Sequence, residues 1–165
     1  TRGTACLLEG GYSSVSSLSH DVRRAFPRPQ EDKDGIVQTW EGTADSVALN
    51  FVLHCTEGSL GPGSKGASFQ HLKRLLKPNG VLFGSTILNS PHNCFGRALM
   101  RRFNEPMSTD VPMSGIFSNT GDRLIDLREA LGTAFEATQV RVVGATAFFA
   151  ASNDSKRNLT DLLGM

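Results

Sequence analysis

His54 and His92 are the residues of this sequence best suited to proton transfer. The ordinary pKa of an imidazole lies near neutrality, so a histidine can accept and release a proton at physiological pH. His54 directly follows an apolar run from Val47 to Leu53, and His92 lies in the polar segment after a second apolar run. We therefore predict that both histidines carry protons in catalysis, with the alternative that His54 only hydrogen-bonds a loop carbonyl.

Six further polar residues lie near the predicted element ends and are candidates for substrate binding. They are Asn50, Cys55, Ser85, Thr86, Asn89 and Asn119. In open α/β sheets, ligands bind beyond the carboxyl ends of the strands, where such side chains would form a polar rim. Two of them have a structural alternative. Cys55 is a small buried filler if no basic neighbour lowers its pKa, and Asn119 is a helix cap.

The composition describes a globular protein with a single core. At 165 residues, 39% hydrophobic and 20% charged, the chain is long enough for one domain and too short for two ordinary ones. A net charge of +1 gives no field that would attract nucleic acid. The sequence contains no run of about 18 apolar residues that could span a membrane. Its three widely spaced cysteines suggest neither a set of disulfides nor a zinc site. We therefore expect a cytoplasmic protein that binds neither nucleic acid nor a membrane.

The elements that would position these residues begin with the apolar run from Val47 to Leu53. It predicts an interior strand, because both of its faces are apolar and would be covered by helices. A helix is predicted next from a stripe of Phe69, Leu72, Leu75 and Leu76. A second buried strand is predicted from Val81 to Leu88. Strand, helix and strand at this spacing indicate a right-handed parallel crossover.

The remaining segments complete an α/β pattern. Two more helices are predicted, one from Asn93 to Asn104 and one over the stripe of Leu124, Leu127, Leu131 and Phe135. A closing antiparallel hairpin is predicted at Gly144. The segment from Arg23 to Gly42 is predicted to be an exposed loop, because it is rich in proline and charge. We expect one domain over residues 1–151 and a polar tail over residues 152–165.

Three segments resemble those of class I S-adenosylmethionine-dependent methyltransferases that act on small molecules in bacterial and fungal secondary metabolism. The segments are DSVALNFVLHC, FQHLKRLLKPNGVLFGSTIL and GIFSNTGDRLIDLREAL. The resemblance covers Asp45 to Ala151 and matches only the carboxyl-terminal half of that family. It implies an α/β three-layer sandwich, a truncated Rossmann-like fold with parallel strands and a carboxyl-terminal antiparallel hairpin. Asp21 and Val22 resemble the acidic-loop position beside the adenine, so they would contact the cofactor if one binds.

The sequence departs from this family at the cofactor cradle. Family members have a glycine-rich turn after the first strand and an acid after the second strand. This sequence has neither, since Gly10 and Gly11 do not form a GxGxG pattern and are interpreted as a turn. Methyl transfer needs donor and acceptor aligned at about 3 to 3.5 Å. We therefore expect no cofactor on this chain alone, and S-adenosylmethionine only if the missing half is supplied.

Two functions are compatible with this departure. In the first, a methyltransferase-like tailoring protein of secondary metabolism uses its remaining pocket on a small molecule for non-methylating catalysis, either isomerisation or cyclisation. In the second, the chain is the carboxyl-terminal part, or a partner subunit, of an ordinary methyltransferase. The sequence leaves open whether the chain is an enzyme, and we expect that it is not an autonomous methyltransferase. A truncated sheet would expose an edge and a face that normally become buried, so we expect a homodimer or a methyltransferase partner chain.

Overall fold

The computed structural model describes most of the chain after residue 40 and three short pieces before it. The described residues are 23–24, 30–31, 37–38, 40–61, 63–89, 94–106 and 115–164. The strands in these ranges are Gln30–Glu31 (β1), Val37–Gln38 (β2), Ala44–Asn50 (β3), Leu76–Ile87 (β4), Ala137–Val143 (β5) and Thr146–Ser152 (β6). The α-helices are Ser68–Leu75 (α1), Cys94–Asn104 (α2) and Leu124–Ala134 (α3). None of these helices is long and apolar enough to cross a membrane.

The four longer strands form one sheet in the order β3-β4-β6-β5. β3 runs parallel to β4, whereas β6 is antiparallel to both β4 and β5. Helix α1 connects the two parallel strands, so the predicted strand, helix and strand unit is confirmed, as is the closing hairpin at Gly144. A mixed sheet with helices packed on it confirms the α/β, Rossmann-like fold class.

The main core lies between one face of the sheet and helices α1 and α3. Leu49 and Leu82 point from neighbouring strands into this core, and Leu131 of α3 is fully buried there. The rings of Phe69 in α1 and Phe149 in β6 meet edge to face, with 5.6 Å between their centroids. Because side chains alternate between the faces of a strand, a register slip of one residue would expose this whole set. Burial of the core therefore fixes the register of the sheet.

The opposite face of the sheet is covered only in part by the described residues. Leu159 from the tail packs on Val81 at one end of this face. Farther along the same face, Phe83 and Phe148 each leave 38% of their surface exposed, and Ala48 beside them is exposed as well. We call Ala48, Phe83 and Phe148 the apolar patch. The tail thus contributes to the packing of the domain but leaves this patch open.

The boundaries of the first two predicted strands need correction. β3 ends at Asn50 rather than Leu53, because Phe51 adopts a left-handed backbone with a φ of 53° that interrupts the strand. β4 begins at Leu76 rather than Val81. The predicted loop before β3 contains the short antiparallel pair of β1 and β2. Within the described ranges, β3 lies at the edge of the sheet with one face exposed, and is not covered on both faces as predicted.

Candidate functional site

His54 lies in a 3₁₀ turn, Leu53–Cys55, that directly follows β3. Its side chain is almost completely buried, with 4% of its surface exposed. The imidazole ring meets the ring of Phe117 edge to face at 4.6 Å and the ring of Phe51 at 5.9 Å. The backbone carbonyl of His54 accepts a hydrogen bond of 2.6 Å from the Ser118 N–H. The histidine is therefore held between the end of β3 and the loop before α3, beneath an aromatic cover.

The environment of His54 favours a neutral imidazole. Burial lowers the pKa of His54, and the positive charge of Lys65 lowers it further, because both disfavour the protonated ring. Within the described part of the chain, the Nδ1 atom of His54 is buried without a hydrogen-bond partner. A neutral imidazole with an unused ring nitrogen is chemically able to accept a proton from a neighbouring group.

Lys65 is fully buried beside this turn, which the sequence did not predict. Its Nζ atom donates to the backbone carbonyls of Leu53 at 2.9 Å, Thr56 at 3.1 Å and Ser118 at 2.9 Å. The same atom lies 2.7 Å from Oδ2 of Asp122. An ammonium group has three protons, so the four surrounding oxygens use all of its donor capacity. Lys65 thus connects three separate stretches of backbone.

Asp122 supplies the opposite charge for Lys65 in a site where neither side chain contacts solvent. Burial raises the pKa of Asp122 to about 6, although the hydrogen bond and the charge of Lys65 oppose that rise. Burial also lowers the pKa of Lys65, and Asp122 opposes that change. Each charge compensates for the desolvation of the other, which is the condition for keeping an ion pair inside a protein.

Asn119 lies in the same loop, and its amide locks the loop to helix α2. Its Nδ2 donates to the carbonyl of Ile87 at 3.0 Å, and its Oδ1 accepts from Nδ2 of Asn104 at 2.7 Å. The backbone N–H of Asn119 donates to Oδ1 of Asn104 at 3.1 Å. The alternative that Asn119 caps α3 is wrong, because Arg123 occupies the cap position and the Asn119 side chain is engaged elsewhere. Asn119 remains a predicted substrate-binding residue, but its amide is buried.

Asn50, Ser85 and Thr86 do not form one continuous rim. Successive residues of a strand point to opposite faces, so the side chains of Ser85 and Thr86 diverge. Ser85 Oγ donates to Oδ1 of Asn50 at 3.2 Å on the face that carries the apolar patch. Thr86 is fully buried on the opposite face, and its hydroxyl has no partner among the described residues. Of these three predicted residues, only Asn50 is exposed.

Asn89 follows β4 and is exposed, as expected of a loop residue. Its amide donates to the carbonyl of Thr120 at 2.7 Å. Together with Met100, Asn104 and other residues of α2, it lines an open surface depression of about 460 Å³. His92 and the adenine-contact candidates Asp21 and Val22 lie outside the described residues, so their predicted roles stay predictions.

Cys55 is exposed, so the alternative that it fills a buried gap is wrong. The three residues of a 3₁₀ turn point in different directions, and in this turn Leu53 and His54 take the inward positions. Partial desolvation raises the pKa of the Cys55 thiol, and the charge of Lys65 acts against that rise. A thiol whose pKa is raised is protonated at neutral pH and is a weak nucleophile. Cys55 stays a predicted substrate contact at most.

The structure resembles methyltransferase domains. It aligns with the CMeT domain of the citrinin polyketide synthase with a TM-score of 0.57, covering 92% of this chain and 36% of that one at 11% identity. Identity this low shows the fold alone. The four-stranded mixed sheet with its helices therefore has the Rossmann-like fold of such domains.

Sequence relatives agree with this fold. No family model matches the chain. It is 43% identical to methyltransferase verB of Penicillium polonicum over 86% of this chain and 55% of that protein. It is 32% identical to YbcY of Escherichia coli K12 over 90% of this chain and 68% of that protein. The chain belongs to the class I S-adenosylmethionine-dependent methyltransferase family, and spans about half the length of verB.

The described residues do not form a complete site for S-adenosylmethionine. None of the four strands in the main sheet is followed by a GxGxG turn, and none ends in an acidic residue. Those two features hold the methionine and the ribose in dinucleotide-like sites of this fold. In the described part of the chain, Phe51 and Val52 precede the turn that carries His54, and both are exposed. The described residues therefore lack this cradle.

Proposed function

We propose that this chain forms the acceptor-side half of a small-molecule methyltransferase of secondary metabolism, and that a second polypeptide segment completes the donor site. The observation that carries the proposal is the position of β3. It is paired only with β4 within the described residues, and the apolar patch extends from β3 across β4 to β6 on the open face of the sheet. Open edges and contiguous apolar surfaces in soluble proteins are usually buried against another element.

The register of the sheet places the residues of the apolar patch on one continuous face, which a single partner segment could cover. Ala48 of β3 is opposite Phe83 of β4, and Phe148 lies one strand farther on the same face. Asn50 and Ser85 continue this face toward the carboxyl ends of the strands, where their side chains bond each other. A segment that covered the patch and extended along this face would therefore reach the end of β3. His54 lies immediately beyond that end.

The proposal predicts that donor binding requires both halves. Isothermal calorimetry of this chain alone should detect no micromolar binding of S-adenosylmethionine, because the described residues lack the cradle. Joining to it the part of verB that it does not match should restore binding. The double variant Phe83→Ser, Phe148→Ser should weaken that restoration, and Ile125→Ser is the matched control, because Ile125 is 62% exposed on a helix at the other face. Micromolar binding by the single chain would contradict the proposal.

Non-methylating catalysis, by isomerisation or cyclisation, is the second candidate, and it is supported by the neutral His54 with its unpartnered Nδ1. Such reactions move protons between carbon and solvent, so they would incorporate deuterium from heavy water into a phenolic polyketide probe. We expect His54→Gln to abolish this incorporation and His71→Gln on the surface of α1 to leave it unchanged. Mass spectrometry of the recovered probe makes the comparison. Absence of incorporation by the unaltered chain would remove this candidate.

A further inference from the structure

We infer that Lys65 is a positioning residue for His54, because its ammonium group fixes the turn that carries the imidazole to the loop that covers it. The inference rests on the proposed function in one respect: a functional role for His54 at the candidate site comes from that proposal. Neither Lys65 nor Asp122 was among the residues that the sequence pointed to as functional. The side chains of both residues are fully buried. Lys65 also lines an open surface depression of about 550 Å³ beside Arg23 and Glu57, but none of its side chain is exposed there.

The Nζ atom of Lys65 contacts two separate segments of the chain near His54. The carbonyl of Leu53 precedes His54, and the carbonyl of Thr56 closes the same turn. The third carbonyl belongs to Ser118, whose own N–H donates to the carbonyl of His54. Lys65 and Ser118 therefore hold the turn from both sides. The imidazole is left in contact with Phe117, the residue next to Ser118.

A lysine at this place requires an explanation other than stability. Replacing a buried ion pair by apolar residues of similar volume is often neutral or stabilising. A gain in the free energy of unfolding therefore does not explain why Lys65 and Asp122 form a pair here. An apolar side chain would fill the space between Leu53 and Ser118 but would donate to neither carbonyl. The Lys65 ammonium group, paired with a carboxylate, bonds both the turn that carries His54 and the loop that contains Ser118. It therefore fixes the distance between the turn and this loop.

Among the described residues, Lys65 is the charged group that shifts the pKa of His54, and Glu57 near the turn pairs with Arg23. Lys65 is the cation that acts on the imidazole, Asp122 balances Lys65, and Cys55 beside His54 carries an uncharged thiol at neutral pH. Arg123 and Asp126 pair with each other on the surface of α3. Burial is the larger cause of the lowered pKa of His54, and the charge of Lys65 adds to it. Loss of Lys65 therefore removes the connection between the turn and the loop and also this smaller electrostatic contribution.

The test is the double variant Lys65→Met, Asp122→Leu, which removes the pair while keeping the volume filled. Proton NMR of the imidazole follows the titration of His54, and hydrogen exchange follows the Ser118 amide. We expect the double variant to fold with a lower urea midpoint than the unaltered chain, because three carbonyls lose their donor. The loss should be smaller than for Lys65→Met alone, since no charge is left uncompensated. The pKa of His54 should rise toward the ordinary 6.5, and the Ser118 amide should exchange at least tenfold faster relative to the core amide of Leu131. The exposed pair serves as the control, since Lys77→Met, Asp45→Leu should change neither readout.

An unchanged His54 titration and unchanged Ser118 protection in a folded double variant would overturn the inference. If the double variant does not fold, Asp122→Asn gives the answer. It leaves the Lys65 charge uncompensated and so destabilises the whole chain, but it keeps the three carbonyl contacts of Lys65 in place. Ser118 protection should therefore fall no more than that of the core amide of Leu131, and a larger loss at Ser118 would overturn the inference. Neither readout involves a methyl donor. The proposed function can therefore fail while this result stands, and the reverse also holds.

Discussion

Replacing Lys65 by methionine alone is expected to lower the free energy of unfolding by about 3 to 5 kcal/mol. The substitution leaves Asp122 as an uncompensated charge in a site with no exposed surface. It also removes the donor from the backbone carbonyls of Leu53, Thr56 and Ser118. Buried acceptors that lose their partner keep the full cost of their desolvation. Urea denaturation at pH 7, followed by circular dichroism, measures the change.

Lys77→Met is the matched control for this prediction. Lys77 also pairs with an aspartate, with its Nζ 2.8 Å from Oδ1 of Asp45, but the two side chains are 45% and 84% exposed. Exposed pairs contribute about 0 to 1 kcal/mol, since water solvates the partner that remains. The same chemical change should therefore have a several-fold smaller effect at position 77. Similar losses for the two variants would show that water reaches Asp122.

Sequence patterns predicted the parts of this fold that repeat a regular period. The stripe through Phe69 and Leu72 predicted α1, and the stripe through Leu127 and Leu131 predicted α3, because each helix buries one face against the sheet. The parallel pairing of β3 and β4 was predictable because a helix separates two apolar runs. The hairpin at Gly144 was predictable because the turn is too short for a crossover, and this glycine has a φ of 62°.

Features that depend on tertiary contacts escaped prediction. Nothing in the local sequence marks Lys65 as buried, since charged residues beside glycines are usually exposed. Its partner Asp122 comes from a distant loop. The left-handed Phe51 interrupts an otherwise continuous apolar run, and its residue type gives no warning of a positive φ. The two-residue strands β1 and β2 are too short to produce any periodic signal.

The candidate site was predicted in part. Placing His54 at the end of the first buried strand was correct to within the short turn that follows β3. Its burial was not predictable, because it depends on Phe117 and the loop that Lys65 holds. The divergence of Ser85 and Thr86 was already implied by the two-residue period of a strand. Applying this alternation to β4 and β3 would have placed Ser85 on the same face of the sheet as Asn50.

Gly84→Ala is expected to destabilise the protein by about 3 kcal/mol, at the upper end of the cost of overpacking a core. A Cβ atom at this position would lie 2.8 Å from the carbonyl carbon of Leu49, closer still to its oxygen, and 2.7 Å from Cζ of Phe149. The carbonyl belongs to the neighbouring strand and cannot move without breaking the parallel pairing of β3 and β4. Thermal and urea denaturation both report the loss.

Gly132→Ala is expected to change stability in the opposite direction from Gly84→Ala. This glycine lies inside α3, and an added Cβ atom would have no atom within 4 Å apart from its chain neighbours and the backbone of its own helix. Alanine has a higher helix propensity than glycine, so the variant should gain about 1 kcal/mol of stability. The two substitutions are chemically identical, and their difference isolates the close approach of β3 to β4. If Gly84→Ala were tolerated as well as Gly132→Ala, the two parallel strands would be farther apart than described, and the position of β3 as the exposed edge beside His54 would have to be revised.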